Sequence, residues 1–118
     1  MIHFTKDPGC VAACRGFVEN ELGQRSPELR DRAVLVASEL VTNAILHTAN
    51  GGTLDLIISP TQLRLEVSDG SHTAPVERAH GPSDVCGRGL PIVSHLSDDW
   101  GVRRSPSGKT IWATFGIF

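Results

Sequence analysis

Three polar side chains recur at intervals of four in one apolar-rich segment: Glu39, Asn43 and His47. On an α-helix each interval of four turns ~40° about the axis, so the three form a nearly continuous ridge. A carboxylate such as Glu39 can serve as a general base. The amide oxygen of Asn43 suits a hard cation such as Mg²⁺. His47 can donate a hydrogen bond to a phosphate or close the helix end. The same spacing also describes a solvent-facing stripe with His47 near the negative end of the helix dipole. The intervening run Ala44-Ile45-Leu46 makes full exposure of that ridge costly.

Two further segments carry chemistry. Asp69-Gly70-Ser71 ends an alternating stretch, where a carboxylate can accept from an exocyclic amine of the kind adenine presents. An Asp-Gly turn closing a strand is the common structural alternative. In Gly87-Arg88-Gly89-Leu90-Pro91 two glycines flank an arginine at an expected helix start. Backbone N–H groups and the dipole there favour phosphate, glycine permits close approach, and Arg88 adds positive charge. Position 92 is Ile, so the dinucleotide fingerprint is absent. Gly108-Lys109-Thr110 suggests a P-loop, but Arg103 stands where the first glycine belongs. Moreover, Ile111-Trp112-Ala113-Thr114-Phe115 reads as a strand rather than a helix.

The elements that must position these residues follow from periodicity. Asp7-Pro8 predicts a first helix running to about Leu22, with Val11, Cys14, Phe17, Val18 and Leu22 on one face. Ser26 as N-cap and Pro27 as first helical residue open a second helix to about His47. Its apolar face is Leu29, Ala33, Val36, Ala37, Leu40, Val41, Ala44 and Ile45. Strands are expected at Thr53 to Ser59 and Gln62 to Asp69; in the second, Leu63, Leu65 and Val67 alternate with Arg64, Glu66 and Ser68. Gly70 to Gly87 reads as a long loop, which in a compact domain is usually functional. A short helix at about Leu90 to Leu96 and strands at about Trp100 to Arg104 and Lys109 to Phe118 complete the chain, with a brief strand at Ile2 to Thr5. Strands grouped with helices in this order predict an α+β sandwich.

Composition narrows the function classes. The 118 residues predict a single domain, 1–118, large enough for a core without disulfides. The net charge of −2 and the lack of a Lys/Arg stripe argue against direct nucleic-acid binding and against a membrane surface. No apolar stretch approaches the ~18–20 residues of a membrane span. Met1 to Gly9 lacks a leader pattern, so a cytoplasmic location is expected. The odd set Cys10, Cys14 and Cys86 is no disulfide framework, and no second Cys/His pair at similar spacing completes a zinc site.

The three motifs in this order resemble the gyrase, histidine-kinase and MutL ATPase superfamily, which shares the Bergerat ATP-binding fold. Glu39 to His47 looks like its N-box, Asp69-Gly70 like its adenine-reading motif, and Gly70 to Gly87 like its ATP lid. Gly87-Arg88-Gly89-Leu90 looks like its second glycine motif. Within the superfamily the chain is most similar to the bacterial anti-sigma-factor serine kinases. Their tail is matched by Trp100-Gly101-Val102 and by Gly108-Lys109-Thr110-Ile111-Trp112. The adenine motif departs from Asp-x-Gly-x-Gly: the run here is Asp69-Gly70-Ser71-His72-Thr73, which lacks the second glycine.

The resemblance implies two layers, with helices packed on one face of a mixed, mostly antiparallel sheet. It implies that ATP or ADP binds with Mg²⁺. Asp69, with Gly70, would read the adenine amine with help from Thr110. Asn43 would hold Mg²⁺, and Gly87, Arg88, Gly89 and Leu90 would wrap the phosphates. Glu39 would be the general base, and His47 would support the site. The implied partners are a sigma factor, an anti-sigma-factor antagonist phosphorylated on serine, and a second copy of the chain in a homodimer. Two other readings stay open. One is a non-catalytic nucleotide-binding interaction module of the same fold. The other is an ATPase domain of a larger machine, which Met1 and a finished-looking last strand disfavour.

Overall fold

A computed structural model describes residues 1–47, 51–70, 85–106 and 108–117; the side chains of 47 and 85–90 are not described. The order is β1 (Ile2–Phe4), α1 (Cys10–Leu22), α2 (Pro27–His47), β2 (Gly52–Ile58), β3 (Gln62–Asp69), α3 (Val85–Leu96), β4 (Asp99–Ser105) and β5 (Gly108–Gly116).

The first helix begins at Cys10, later than Asp7-Pro8 suggested. The Asp7 carboxylate accepts from the Gly9 N–H at 3.0 Å. This side-chain turn takes up Pro8 and Gly9 as an approach to the helix rather than its first turn. Gly23, at φ 55°, ends α1 and donates its N–H to Glu19 O at 3.0 Å. The second helix starts as expected. Ser26 Oγ accepts from Leu29 N–H at 3.4 Å, and Pro27 occupies the position where a missing N–H costs nothing.

Every expected apolar-face residue of α2, from Leu29 to Ile45, is buried. It packs on Leu54, Leu63, Leu65, Val67, Ile111, Ala113 and Phe115 of the sheet and on Cys14, Val18 and Leu22 of α1. The sheet order is β1-β2-β3-β5-β4. Every strand pairing among the described residues is antiparallel, which corrects the expectation of a mixed sheet. The crossover through α3 does bring β4 back in the direction of β3. However, β5 inserts between them and pairs with both. The wet face carries Arg64 stacked 4.5 Å over the Trp112 ring, its Nε donating to Glu66 at 2.7 Å.

The largest departure is α3. It begins at Val85, not near Leu90, and Pro91 lies inside it. Proline cannot donate to the carbonyl of Gly87, and Gly87 and Gly89 are poor helix formers, so local propensity hides this helix start. Tertiary contacts hold the other end. Val93 is fully buried, and Leu96 O accepts from Arg32 Nε at 3.0 Å and Nη2 at 2.7 Å. No helix among the described residues is long and apolar enough to cross a membrane.

Candidate functional site

Strand alternation decides which side chains meet at the end of β3. Leu63, Leu65 and Val67 face the helices, so Asp69 faces them too. Register places Lys109 directly opposite it on β5 and Gly52 on its other flank. The Asp69 side chain is 2% exposed and that of Lys109 is 4% exposed, with Oδ2 and Nζ 3.7 Å apart. A buried carboxylate is thus held beside a buried ammonium at the rim of the core. The sequence alone assigns Lys109 no role once the P-loop is rejected. Only the cross-strand register reveals it.

Gly108 fixes this corner. Its φ is 145°, and a Cβ there would lie 2.0 Å from the Asp69 carbonyl oxygen and 2.8 Å from Gly70 Cα. The β5 backbone therefore passes against the Asp69-Gly70 backbone as closely as glycine alone allows. Thr110 is on the opposite face. Its hydroxyl lies 2.8 Å from Ser68 Oγ, so it braces the strand pair behind Asp69 instead of pointing with it. The help to Asp69 expected of Thr110 is corrected accordingly.

The second helix brings its ridge to the same end. Residues 48–51 link His47 to Gly52, a span of at most ~17 Å, and Gly52 is the register neighbour of Asp69. Asn43, one turn before the end of α2, is buried at 6% exposure. Its Nδ2 lacks a hydrogen-bond partner among the described residues. An unsatisfied buried amide costs ~1–3 kcal/mol, which marks this position as poised for a ligand. Glu39, one turn earlier, is half-buried. His47 is the last residue of α2, and its side chain lies outside the described residues.

The glycine motif approaches from α3. Leu96 O is fastened to Arg32, and Leu35 lines a groove with Pro91, Ile92 and His95. The third helix therefore runs back along α2, and its start points toward the Asn43 end. With Val85 as first helical residue, Gly87 is the last position whose N–H lacks an intrahelical acceptor, and Arg88, Gly89 and Leu90 follow it into the helix. The side chains of these four residues are outside the described set, as are residues 71–84 of the expected lid.

The donor set fits a nucleotide with Mg²⁺. Among the described residues no group of three or more His, Cys, Asp or Glu could hold a metal. Mg²⁺ is commonly held by one or two protein carboxylates together with substrate phosphates, and the amide oxygen of Asn43 offers a neutral hard ligand in that role. The carboxylate of Asp69 is an acceptor suited to an amine. A hollow of about 350 Å³ lined by Arg25, Ser26 and Arg32 lies at the other end of α2. Its Arg32 is already committed to Leu96 and to Asp98 at 3.6 Å.

Comparisons with known proteins bear on the family and the fold. The family model described as "Histidine kinase-like ATPase domain" matches residues 4–115. A solved structure of the Erythrobacter litoralis EL346 blue-light activated histidine kinase aligns with TM-score 0.58 and 21% identity, covering 92% of this chain and 41% of that one. A structure of the histidine kinase domain from the same protein aligns with TM-score 0.57 and 19% identity, covering 95% of this chain and 61% of that one. This chain therefore spans less than two thirds of either structure, and at these identities the likeness is one of fold. No match was found among curated protein sequences. With the family model matched across nearly the whole chain, this chain belongs to the histidine kinase-like ATPase domain family.

Proposed function

We propose that the protein binds ATP with Mg²⁺, phosphorylates a serine of an anti-sigma-factor antagonist, and sequesters a sigma factor in its other state. It would work in the bacterial cytoplasm as a homodimer. The observation that carries the reading is the pair on α2: a buried Asn43 whose amide nitrogen has no partner among the described residues, and a carboxylate, Glu39, one turn before it.

Asp69 accepts a hydrogen bond from the adenine amine, which fixes the base at the end of β3. Asn43 holds Mg²⁺ through its amide oxygen and leaves its N–H groups for an acceptor on the ligand. Bound there, Mg²⁺ supplies charge neutralisation for the phosphates. The free N–H groups at the start of α3, as far as Gly87, meet the phosphate chain, and Arg88, Gly89 and Leu90 wrap it from the same helix start. Glu39 takes the proton from the attacking serine hydroxyl as its oxygen bonds to the γ-phosphorus. The bond from that phosphorus to the bridging oxygen breaks, and ADP leaves with the electron pair. His47, at the end of α2, supports the phosphate side.

The test is Glu39→Gln, measured by nucleotide titration and by transfer of labelled γ-phosphate to a candidate antagonist. The proposal requires transfer to collapse, by roughly 10²-fold or more for a lost general base, while nucleotide affinity survives. Transfer that persists in the variant refutes Glu39 as the base. Nucleotide binding without transfer by the unaltered protein favours the non-catalytic interaction module.

A further inference from the structure

The buried partner of Asp69 asks for a role. Lys109 is 4% exposed and occupies the core-facing register position opposite Asp69, with its ammonium 3.7 Å from Oδ2. Apolar side chains follow it on the same face: Ile111, Ala113 and Phe115. Placing an ammonium there is expensive unless it meets a charge, and a packed apolar side chain would serve strand stability as well or better. A lysine at this position therefore points to something required of Asp69.

We propose that Lys109 is a positioning residue that determines base specificity, resting on the nucleotide-binding reading above. Its ammonium lies 3.7 Å from Oδ2 and holds the carboxylate in one orientation in a nearly fully buried corner. A charged carboxylate only accepts hydrogen bonds. So held, Asp69 accepts the amine at C6 of adenine and repels the carbonyl oxygen that hypoxanthine or guanine presents there. Without the ammonium a route opens for the wrong base: the carboxylate can swing to accept from the N–H at N1. Gly108 contributes by allowing β5 to pass close enough to put Lys109 in this register.

The experiment is titration of the whole protein with ATP·Mg²⁺ and with ITP·Mg²⁺, comparing wild type with Lys109→Met, Lys109→Gln and Lys109→Arg. ITP differs from ATP at C6 and N1 of the base and keeps ribose and phosphates. The expected result is a fall in the ATP-over-ITP affinity ratio of about tenfold or more in Lys109→Met and Lys109→Gln, with the ratio restored in Lys109→Arg. Equal weakening of both nucleotides with the ratio unchanged would show Lys109 serving structure alone and would overturn the proposal. The proposal is equally overturned if neither uncharged variant folds, by circular dichroism, even with ATP present. Failure of the wild type to bind either nucleotide would instead strike the nucleotide-binding reading itself.

Discussion

The close passage of β5 over the Asp69-Gly70 backbone makes Gly108→Ala the most informative single methyl group in the protein. A Cβ at residue 108 would sit 2.0 Å from the Asp69 carbonyl oxygen, 2.9 Å from its carbon and 2.8 Å from Gly70 Cα, all of them backbone atoms. Contact at an ordinary van der Waals distance requires the two chains to separate by more than about 1 Å. The φ of 145° adds strain for any residue with a Cβ, of order 1–3 kcal/mol. Together these predict a loss of about 3 kcal/mol, a large share of the ~5–15 kcal/mol that holds a domain. Urea unfolding followed by circular dichroism should show the midpoint fall with little change in slope. The same shift moves Asp69, so nucleotide affinity should fall by more than tenfold in the protein that remains folded. Gly16→Ala is the control, because a Cβ at that half-buried position of α1 meets nothing within 4 Å. Helix propensity predicts that it stabilises by ~0.5–1 kcal/mol. Equal and small effects of the two substitutions would refute the close-approach reasoning.

Other substitutions probe the frame of the site. Arg32→Ala removes both donors to Leu96 O and a guanidinium 5.5 Å from the Phe115 ring centroid. It should cost about 1.5–3 kcal/mol and accelerate amide exchange throughout α3, read by hydrogen–deuterium exchange. Burial, reinforced by the neighbouring Cys10, raises the Cys14 thiol from 9.0 to about 11. In a Cys86→Ser background, Cys10 should therefore react with a thiol reagent at pH 8 while Cys14 stays protected until the protein unfolds. The folded value lies above the unfolded one, so this contribution to stability is complete below about pH 9. Its loss as pH rises toward 11 amounts to roughly 2–3 kcal/mol. Cys14→Ala should flatten that alkaline limb in denaturation curves measured across pH.

How much of this was legible in the residues depends on the range of the forces involved. The second helix is set by local signals: a capping serine, a proline at the first position and apolar residues at helical spacing. Its span and buried face match the expectation from Ser26 to His47. Alternation alone fixes the bounds of β3 and puts Asp69 on the core side. The start of α3 was hidden because glycines at 87 and 89 and proline at 91 oppose helix locally, whereas Val93 and the Arg32 contacts that favour it come from distant parts of the chain. The antiparallel closure of the sheet depends on β5 inserting between β3 and β4, which no local pattern records. The Asp69–Lys109 pair joins residues far apart in sequence, and the opposite orientation of Thr110 follows from the same register.

In the proposed function Asp69 reads the base of a bound adenine nucleotide. Calorimetric titration of the purified protein with ATP·Mg²⁺, in parallel with Asp69→Asn, puts that role to the test. The expected result is saturable one-site binding by the wild type and a loss of at least tenfold in the variant, with its fold intact by circular dichroism. Binding of equal strength in both proteins, or no binding by a well-folded wild type, would contradict it.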